Sequence, residues 1–165
     1  MEKNYLGSSE IDISSLGIGT MTFGEQNTEA EAFAQLDCAI HHGVNLIDTA
    51  EMYPVPPKEK TFTRTEQIIG NWIQTRKCRQ NIVLATKVVG PTLQSRAMGR
   101  YIRDGINHLT KKNIVTALEG SLRRLKTETI DIYQIHWPDR IVNIFGKKGF
   151  ELPENEETQN AEISE

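Results

Sequence analysis

Three short apolar runs of this chain end in side chains able to do chemistry. Asp48 closes Val44-Asn45-Leu46-Ile47-Asp48, and Lys87 closes Asn81-Ile82-Val83-Leu84-Ala85-Thr86-Lys87. His136 follows Ile130-Asp131-Ile132-Tyr133-Gln134-Ile135, and Tyr53 comes five residues after Asp48 in the segment leaving the same run. A carboxylate, a phenol, an ammonium and an imidazole together can hold and pass a proton. The phenol is a reluctant acid, with an ordinary pKa of about 10. A neighbouring ammonium stabilises the phenolate and so eases release of that proton. Taken singly, each residue has a plainer explanation: an Asp capping a helix, a Lys solvated at an edge, a Tyr in the core. The weight rests on the set, and so on the elements that would bring its members to one place.

Those elements alternate. Tyr5 to Asp12 reads as a hairpin turning around Gly7-Ser8-Ser9, and Ser15 to Thr20 as a short buried strand. Thr28 with Glu31 forms a capping box, opening a helix with Phe33, Leu36, Ala39 and Ile40 on one face and Gly43 just beyond its end. Thr63 and Glu66 are a second capping box, for a helix with Ile68, Ile69, Trp72 and Ile73 inward. Asn81–Lys87 is β-branched and continuous, as a parallel strand covered on both faces tends to be. Thr110 caps a further helix whose Ile114, Val115, Leu118, Leu122 and Leu125 follow a 3.6 period, and Ile130–Ile135 is the last strand.

Strand and helix in turn imply a parallel sheet with right-handed crossovers. In such folds ligands sit outside the carboxyl ends of the strands, the ends at which Asp48, Lys87 and His136 stand. An open doubly wound sheet and a (β/α)8 barrel both qualify. The doubly wound form is weakened by the absence of a G-x-G-x-x-G after the first strand. Four strands are too few for a barrel, whose eight units usually need about 250 residues.

Composition narrows the partners. The 165 residues are 38% hydrophobic and 25% charged with a net charge of -3, which offers no basic field for a nucleic acid. No apolar run reaches the 18 or so residues of a membrane span, and Met1-Glu2-Lys3-Asn4-Tyr5 lacks the order of a signal peptide. Cys38 and Cys78 read as reduced, buried thiols of a cytoplasmic protein. His41-His42 suits the end of a helix better than a metal; His108 has no convergent carboxylate or cysteine; Lys111-Lys112 reads as solvated. No metal site is expected. From Ile141 the character changes: Ile141 to Phe150 reads as a packed loop, and Glu151 to Glu165, with six Glu and no Lys or Arg, as a poorly ordered tail or a long surface loop.

Three segments resemble the catalytic motifs of the aldo-keto reductases: Asp48-Thr49-Ala50-Glu51-Met52-Tyr53, Ala85-Thr86-Lys87-Val88 and Gln134-Ile135-His136-Trp137-Pro138. Leu16 to Gly24 resembles the first-strand motif of that family, and Gly120-Ser121-Leu122-Arg123-Arg124-Leu125 its third-helix motif. The segment from Asp139 to Lys147 resembles a branch with an extended loop after the fourth strand. The likeness runs from about Tyr5 to Arg140 in the family's order and spacing.

The resemblance implies an α/β fold of the (β/α)8 TIM-barrel type, with about the first four β/α units in residues 1–140 and an extended loop or tail in 141–165. It implies reduction of an aldehyde or ketone by hydride from NADPH, with Tyr53 as proton donor. Lys87 would lower the pKa of Tyr53, Asp48 would hold Lys87, and His136 would orient the carbonyl, with Trp137 walling the substrate pocket. Gly19, Thr20, Met21, Gln26 and Asp48 match positions near the cofactor. It further implies relatives of roughly twice this length, so the chain reads as a front half without the strands that hold most of the cofactor. The expected partner is a small carbonyl compound; the oligomeric state stays open. The alternatives are a truncated, inactive half-barrel and a non-enzymatic binding or regulatory partner.

Overall fold

The computed structural model describes residues 1–92, 100–103, 105, 107–140 and 149. An antiparallel hairpin of β1 (Lys3–Tyr5) and β2 (Asp12–Ser14) precedes a parallel sheet of β3 (Gly17–Gly19), β4 (Leu46–Asp48), β5 (Val83–Val88) and β6 (Ile132–Ile135), in that order. Helices α1 (Glu29–His41), α2 (Arg64–Arg76) and α3 (Lys111–Leu125) make the successive crossovers. The expected hairpin and the alternation of strand and helix are present.

Register assigns the two faces of the sheet. Gly19 pairs with Asp48, Asp48 with Ala85, and Lys87 with Gln134. Side chains alternate along a strand, so Asp48, Ala85, Lys87 and Gln134 share one face, while Ile47, Leu84, Thr86 and Tyr133 face the helices. The main core lies on the helix side, where Ile47, Leu84, Leu36, Ile68, Ile69, Trp72 and Leu125 are buried together. Each such aliphatic side chain contributes about 1.5–3 kcal/mol by leaving water, which fixes the parity of the strands and aims Asp48 and Lys87 the other way.

Local signals account for the helix ends, with one exception. Thr28 Oγ1 accepts from Glu31 N while Glu31 returns a bond to Thr28 N, completing the predicted box. Gly43 follows the α1 cap at φ +84, where a left-handed residue is needed. Thr110 Oγ1 accepts from Asn113 N at the start of α3. The box expected at Thr63 and Glu66 does not form: Thr63 is left-handed, at φ 67, and makes no side-chain cap bond. Glu66 is fully buried instead, accepting from Thr86 Oγ1 and Arg124 Nε, each at 2.7 Å. The Arg124 guanidinium, 20% exposed, outcompetes the local cap for this carboxylate.

Helix α3 packs differently from its apolar pattern. The residues it buries are Ala117, Gly120, Ser121 and Leu125, while Val115 is exposed and Ile114, Leu118 and Leu122 are half-buried. The end of α3 comes close to α2 at Gly70, where an added Cβ would meet Leu125 Cα at 2.9 Å and the Arg124 carbonyl closer still. Cys78 is buried as expected, whereas Cys38 is exposed on the outer side of α1; both are free thiols. His108 does have a carboxylate: its Nδ1 lies 3.0 Å from Asp139 Oδ1, whose other oxygen accepts from Leu109 N at 2.7 Å. Lys111 and Lys112 are exposed. Among the described residues no group of acids, His and Cys could hold a metal, and no helix is long and apolar enough to cross a membrane. The expectations for Ile141–Phe150 and Glu151–Glu165 lie outside the described residues, Gly149 apart.

Candidate active site

Beyond Asp48 the chain turns sharply and stays laced to β5. Thr49 N donates to Ala85 O at 2.9 Å and Glu51 N to Lys87 O at 3.1 Å, then Tyr53 N closes a turn on Ala50 O at 3.1 Å. On the other side of β5, His136 N donates to Val88 O at 3.0 Å, carrying the chain past β6 to the same rim. Asp48, Tyr53, Lys87 and His136 therefore come together at the carboxyl end of the sheet.

Their contacts are specific. The Lys87 ammonium donates to Asp48 Oδ1 at 2.8 Å, Asp48 Oδ2 at 2.7 Å and Thr49 O at 2.8 Å, which uses all three of its hydrogens. It also lies 5.3 Å from the centre of the Tyr53 ring. The His136 ring meets Tyr53 edge-on at 5.7 Å and Trp137 at 5.0 Å. Trp137 is anchored by a bond from its Nε1 to Pro91 O at 2.8 Å. It packs over Gly90, where a Cβ would stand 2.6 Å from the indole. A small, shallow apolar recess opens alongside, lined by Met52, Val89, Tyr101, Ile102 and Trp137 among others.

Burial sets the protonation states. It raises the Tyr53 pKa above its ordinary value, and the Asp48 charge adds to this. The expected lowering by Lys87 is absent from this arrangement, in which the ammonium spends its donors on Asp48 and Thr49. His136 is pushed down to about 4, by burial first and then by the Lys87 charge, with Asp48 opposing. The imidazole is thus neutral at pH 7, and its Nδ1 is buried without a hydrogen-bond partner among the described residues.

The residues expected near a cofactor separate into two kinds. Gly19 is exposed beside Asp48 with no atom within 4 Å of where a Cβ would lie, and Met21 is 48% exposed. An open backbone edge beside Asp48, with an exposed thioether two residues further on, could take one face of a flat heteroaromatic ring such as the nicotinamide end of the expected cofactor. Thr20 is fully buried, its hydroxyl donating to Asp48 O at 2.9 Å, so it braces the rim instead of facing outward. The Gln26 amide is spent on Val55 O at 3.4 Å, tying the loop after β3 to the loop after β4.

Sequence reasoning passed over three contributors: the Thr49 carbonyl, Gly90 and the buried Glu51. An acid set among Ala50 and Met52 was the available signal for Glu51, since a carboxylate between apolar neighbours needs a partner once buried.

Comparison with known proteins gives a consistent result. The model of the aldo/keto reductase family matches residues 15–160. Over 150 residues the chain is 49% identical to Protein tas of Escherichia coli, covering 91% of this chain and 42% of that protein. It is 32% identical to aldo-keto reductase YhdN of Bacillus subtilis, covering 87% of this chain and 40% of the relative. The chain thus spans less than half the length of the curated relatives it matches. Among solved structures it resembles aldo-keto reductase AKR11C1 of Bacillus halodurans in its holo form, at 34% identity and TM-score 0.62, over 82% of this chain and 40% of the other. It also resembles the thermostable aldo-keto reductase Tm1743, solved with the inhibitor epalrestat, at 31% identity and TM-score 0.63, over 84% and 43%. The likeness decides between the two parallel architectures: the four strands are part of a (β/α)8 barrel, with Asp48 and Lys87 on its inner face.

Proposed function

The chain belongs to the aldo/keto reductase family, and from that premise we propose that it carries the proton-delivery side of an NADPH-dependent reductase of aldehydes or ketones. The observation that supports this most is the convergence of Tyr53, His136 and the Asp48–Lys87 pair on one rim. Reduction adds a hydride to the carbonyl carbon, and the oxygen then needs a proton as its charge develops. When bound, the reduced nicotinamide supplies that hydride.

The chain's own residues account for the other half of the reaction. Tyr53 is kept as a neutral phenol by burial and by Asp48, so its proton is in place at pH 7. As the proton leaves Oη, the ammonium of Lys87, 5.3 Å from the ring centre, lies near enough to offset part of the charge that develops on the phenolate. Asp48 and the Thr49 carbonyl fix that ammonium. His136, neutral through burial and the Lys87 charge, offers the substrate oxygen a hydrogen bond without adding a second charge. Trp137 walls the substrate side, with Tyr53 and His136 completing it. Gly19 and Met21 would take the nicotinamide end, beside Asp48, with Gln26 near it and Thr20 bracing the strand end. Two free thiols suit a cytoplasmic setting.

The test is NADPH-driven reduction of 4-nitrobenzaldehyde by the full chain and by its Tyr53→Phe variant. The expected outcome is loss of turnover in the variant with NADPH binding, read by fluorescence titration, largely retained. Undiminished turnover in Tyr53→Phe would refute the proton-donor role. A folded chain that fails to bind NADPH would favour the reading as a truncated, inactive half-barrel.

A further inference from the structure

Glu51 lies between the two site residues of its loop, two positions before Tyr53, and is only 4% exposed. Its main chain and side chain make successive rungs to β5: Glu51 N donates to Lys87 O at 3.1 Å, and Glu51 Oε2 accepts from Val89 N at 3.1 Å. A side-chain carboxylate thus continues the parallel ladder after β4 has ended. Its other oxygen, Oε1, pairs with the Arg103 guanidinium, which also donates to Val89 O at 3.4 Å. Arg103 is itself 11% exposed at its side chain, so the pair is sheltered from water and from screening.

The consequence reaches Tyr53 through the turn. Tyr53 N bonds to Ala50 O across Glu51 and Met52, so the residue pinned to β5 is the middle of the turn that presents the phenol. The same strand end carries Lys87, two residues before Val89. We infer that Glu51 is a positioning residue for Tyr53: its carboxylate locks the Ala50–Tyr53 turn to the Lys87 strand, and Arg103 neutralises the buried charge that this lock requires. The inference rests on the reading of Tyr53 as proton donor. It also gives the segment around Arg103 a place in the site, since Tyr101 and Ile102 pack with Met52, Val89 and Trp137 beside the recess.

The geometry separates two requirements: an acceptor for Val89 N, and charge balance with Arg103. Glu51→Ala removes the acceptor. The pair Glu51→Gln with Arg103→Met keeps an amide oxygen for Val89 N while removing both charges. Glu51→Gln alone leaves an amide facing an uncompensated guanidinium. Two readouts on the full chain decide the matter: the Tyr53 ring proton shifts by NMR, set by the edge-on His136 ring and assigned with Tyr53→Phe, and the turnover of 4-nitrobenzaldehyde with NADPH.

In Glu51→Ala the Tyr53 ring shifts should collapse toward those of a solvated tyrosine, with kcat falling about 10- to 100-fold and KM changing little, the signature of a reacting group displaced by an ångström or so. In the Glu51→Gln/Arg103→Met pair both readouts should return to within about threefold of the parent, a recovery that neither single change gives. Native ring shifts in folded Glu51→Ala would overturn the inference, as would a paired variant as displaced as Glu51→Ala. If the ring shifts respond as expected in a chain that reduces no carbonyl, the positioning role stands and the reductase reading falls.

Discussion

Thr86 and Lys87 are neighbours on β5, yet each belongs to a different charge cluster on a different face of the sheet. Facing the helices, Thr86 joins Glu66 and Arg124, and the Glu66 side chain is 0% exposed. Facing the other way, Lys87 joins Asp48 and the Thr49 carbonyl, and the Asp48 side chain is 38% exposed. The ingredients are alike: one carboxylate, one cation and one neutral oxygen. What differs is access to water. Buried between α2, α3 and β5, the first cluster is bound to the integrity of the fold. Open at a rim, the second keeps one side free for chemistry, and its ammonium lies against a phenol.

The comparison breaks most visibly under truncation. Glu66→Ala leaves Arg124 and the Thr86 hydroxyl unpaired beneath the helices and should cost about 3–5 kcal/mol in urea denaturation. Lys87→Met should cost about 1 kcal/mol or less, because Asp48 falls back on solvent, while abolishing carbonyl reduction. Equal losses of stability in the two variants would mean that exposure does not separate the clusters.

Acid probes the rim cluster through His136. Its folded pKa of about 4 lies below the 6.5 of an ordinary imidazole. Between those values the unfolded chain binds a proton that the folded chain does not, so stability falls as pH drops from about 6.5 to 4. The loss is on the order of 3 kcal/mol at most. His136→Gln should flatten this part of the stability–pH curve, measured by thermal melts in low salt. An unchanged slope would mean that the imidazole is not the group held neutral there.

The rim was more legible in the sequence than the buried cluster, for a physical reason. Asp48, Lys87 and His136 sit at strand ends, where burial of Ile47, Leu84 and their neighbours fixes which way they point. Apolar alternation is visible in one dimension, so the consequence for the polar residue is too. Glu66 misled because Thr63-x-x-Glu66 fits a capping box locally, and only the approach of Arg124, 58 residues away, decides otherwise. Val115 misled likewise: α3 brings its backbone at Arg124 and Leu125 against Gly70, a fit that periodicity cannot display. Cys38 and the His108–Asp139 pair depend on which flank of a helix is covered and on a loop closing over 31 residues. Glu51 and Arg103, 52 residues apart, meet only once β5 lies between their segments.

Two glycines carry the comparison to finer scale, one against each cluster. Gly70 stands where α2 touches the α3 backbone, next to the Arg124 that serves Glu66. A methyl group there has backbone in front of it and the core residue Leu125 behind that backbone, so the helices must part. Gly70→Ala should cost about 1–3 kcal/mol through overpacking.

Gly90 stands where β5 leaves the rim, and a methyl there would meet both the Trp137 carbonyl and, at 2.6 Å, its indole. The obstacle is backbone as well as side chain, since the Trp137 carbonyl stands closer still, but it belongs to a half-buried residue at an open edge and not to a packed helix. Trp137 must shift in backbone and side chain together, giving up its bond to Pro91 O, so Gly90→Ala should also cost about 1–3 kcal/mol of stability. Its larger mark should fall on the site: a displaced Trp137 changes the wall of the recess but leaves Asp48, Lys87 and Tyr53 in place. Trp137 fluorescence should therefore shift, and KM for an aromatic aldehyde should rise about threefold to tenfold with kcat nearly kept, the pattern of lost uniform binding. A drop in kcat with unchanged KM would instead tie Trp137 to the alignment of His136, whose ring lies 5.0 Å from the indole.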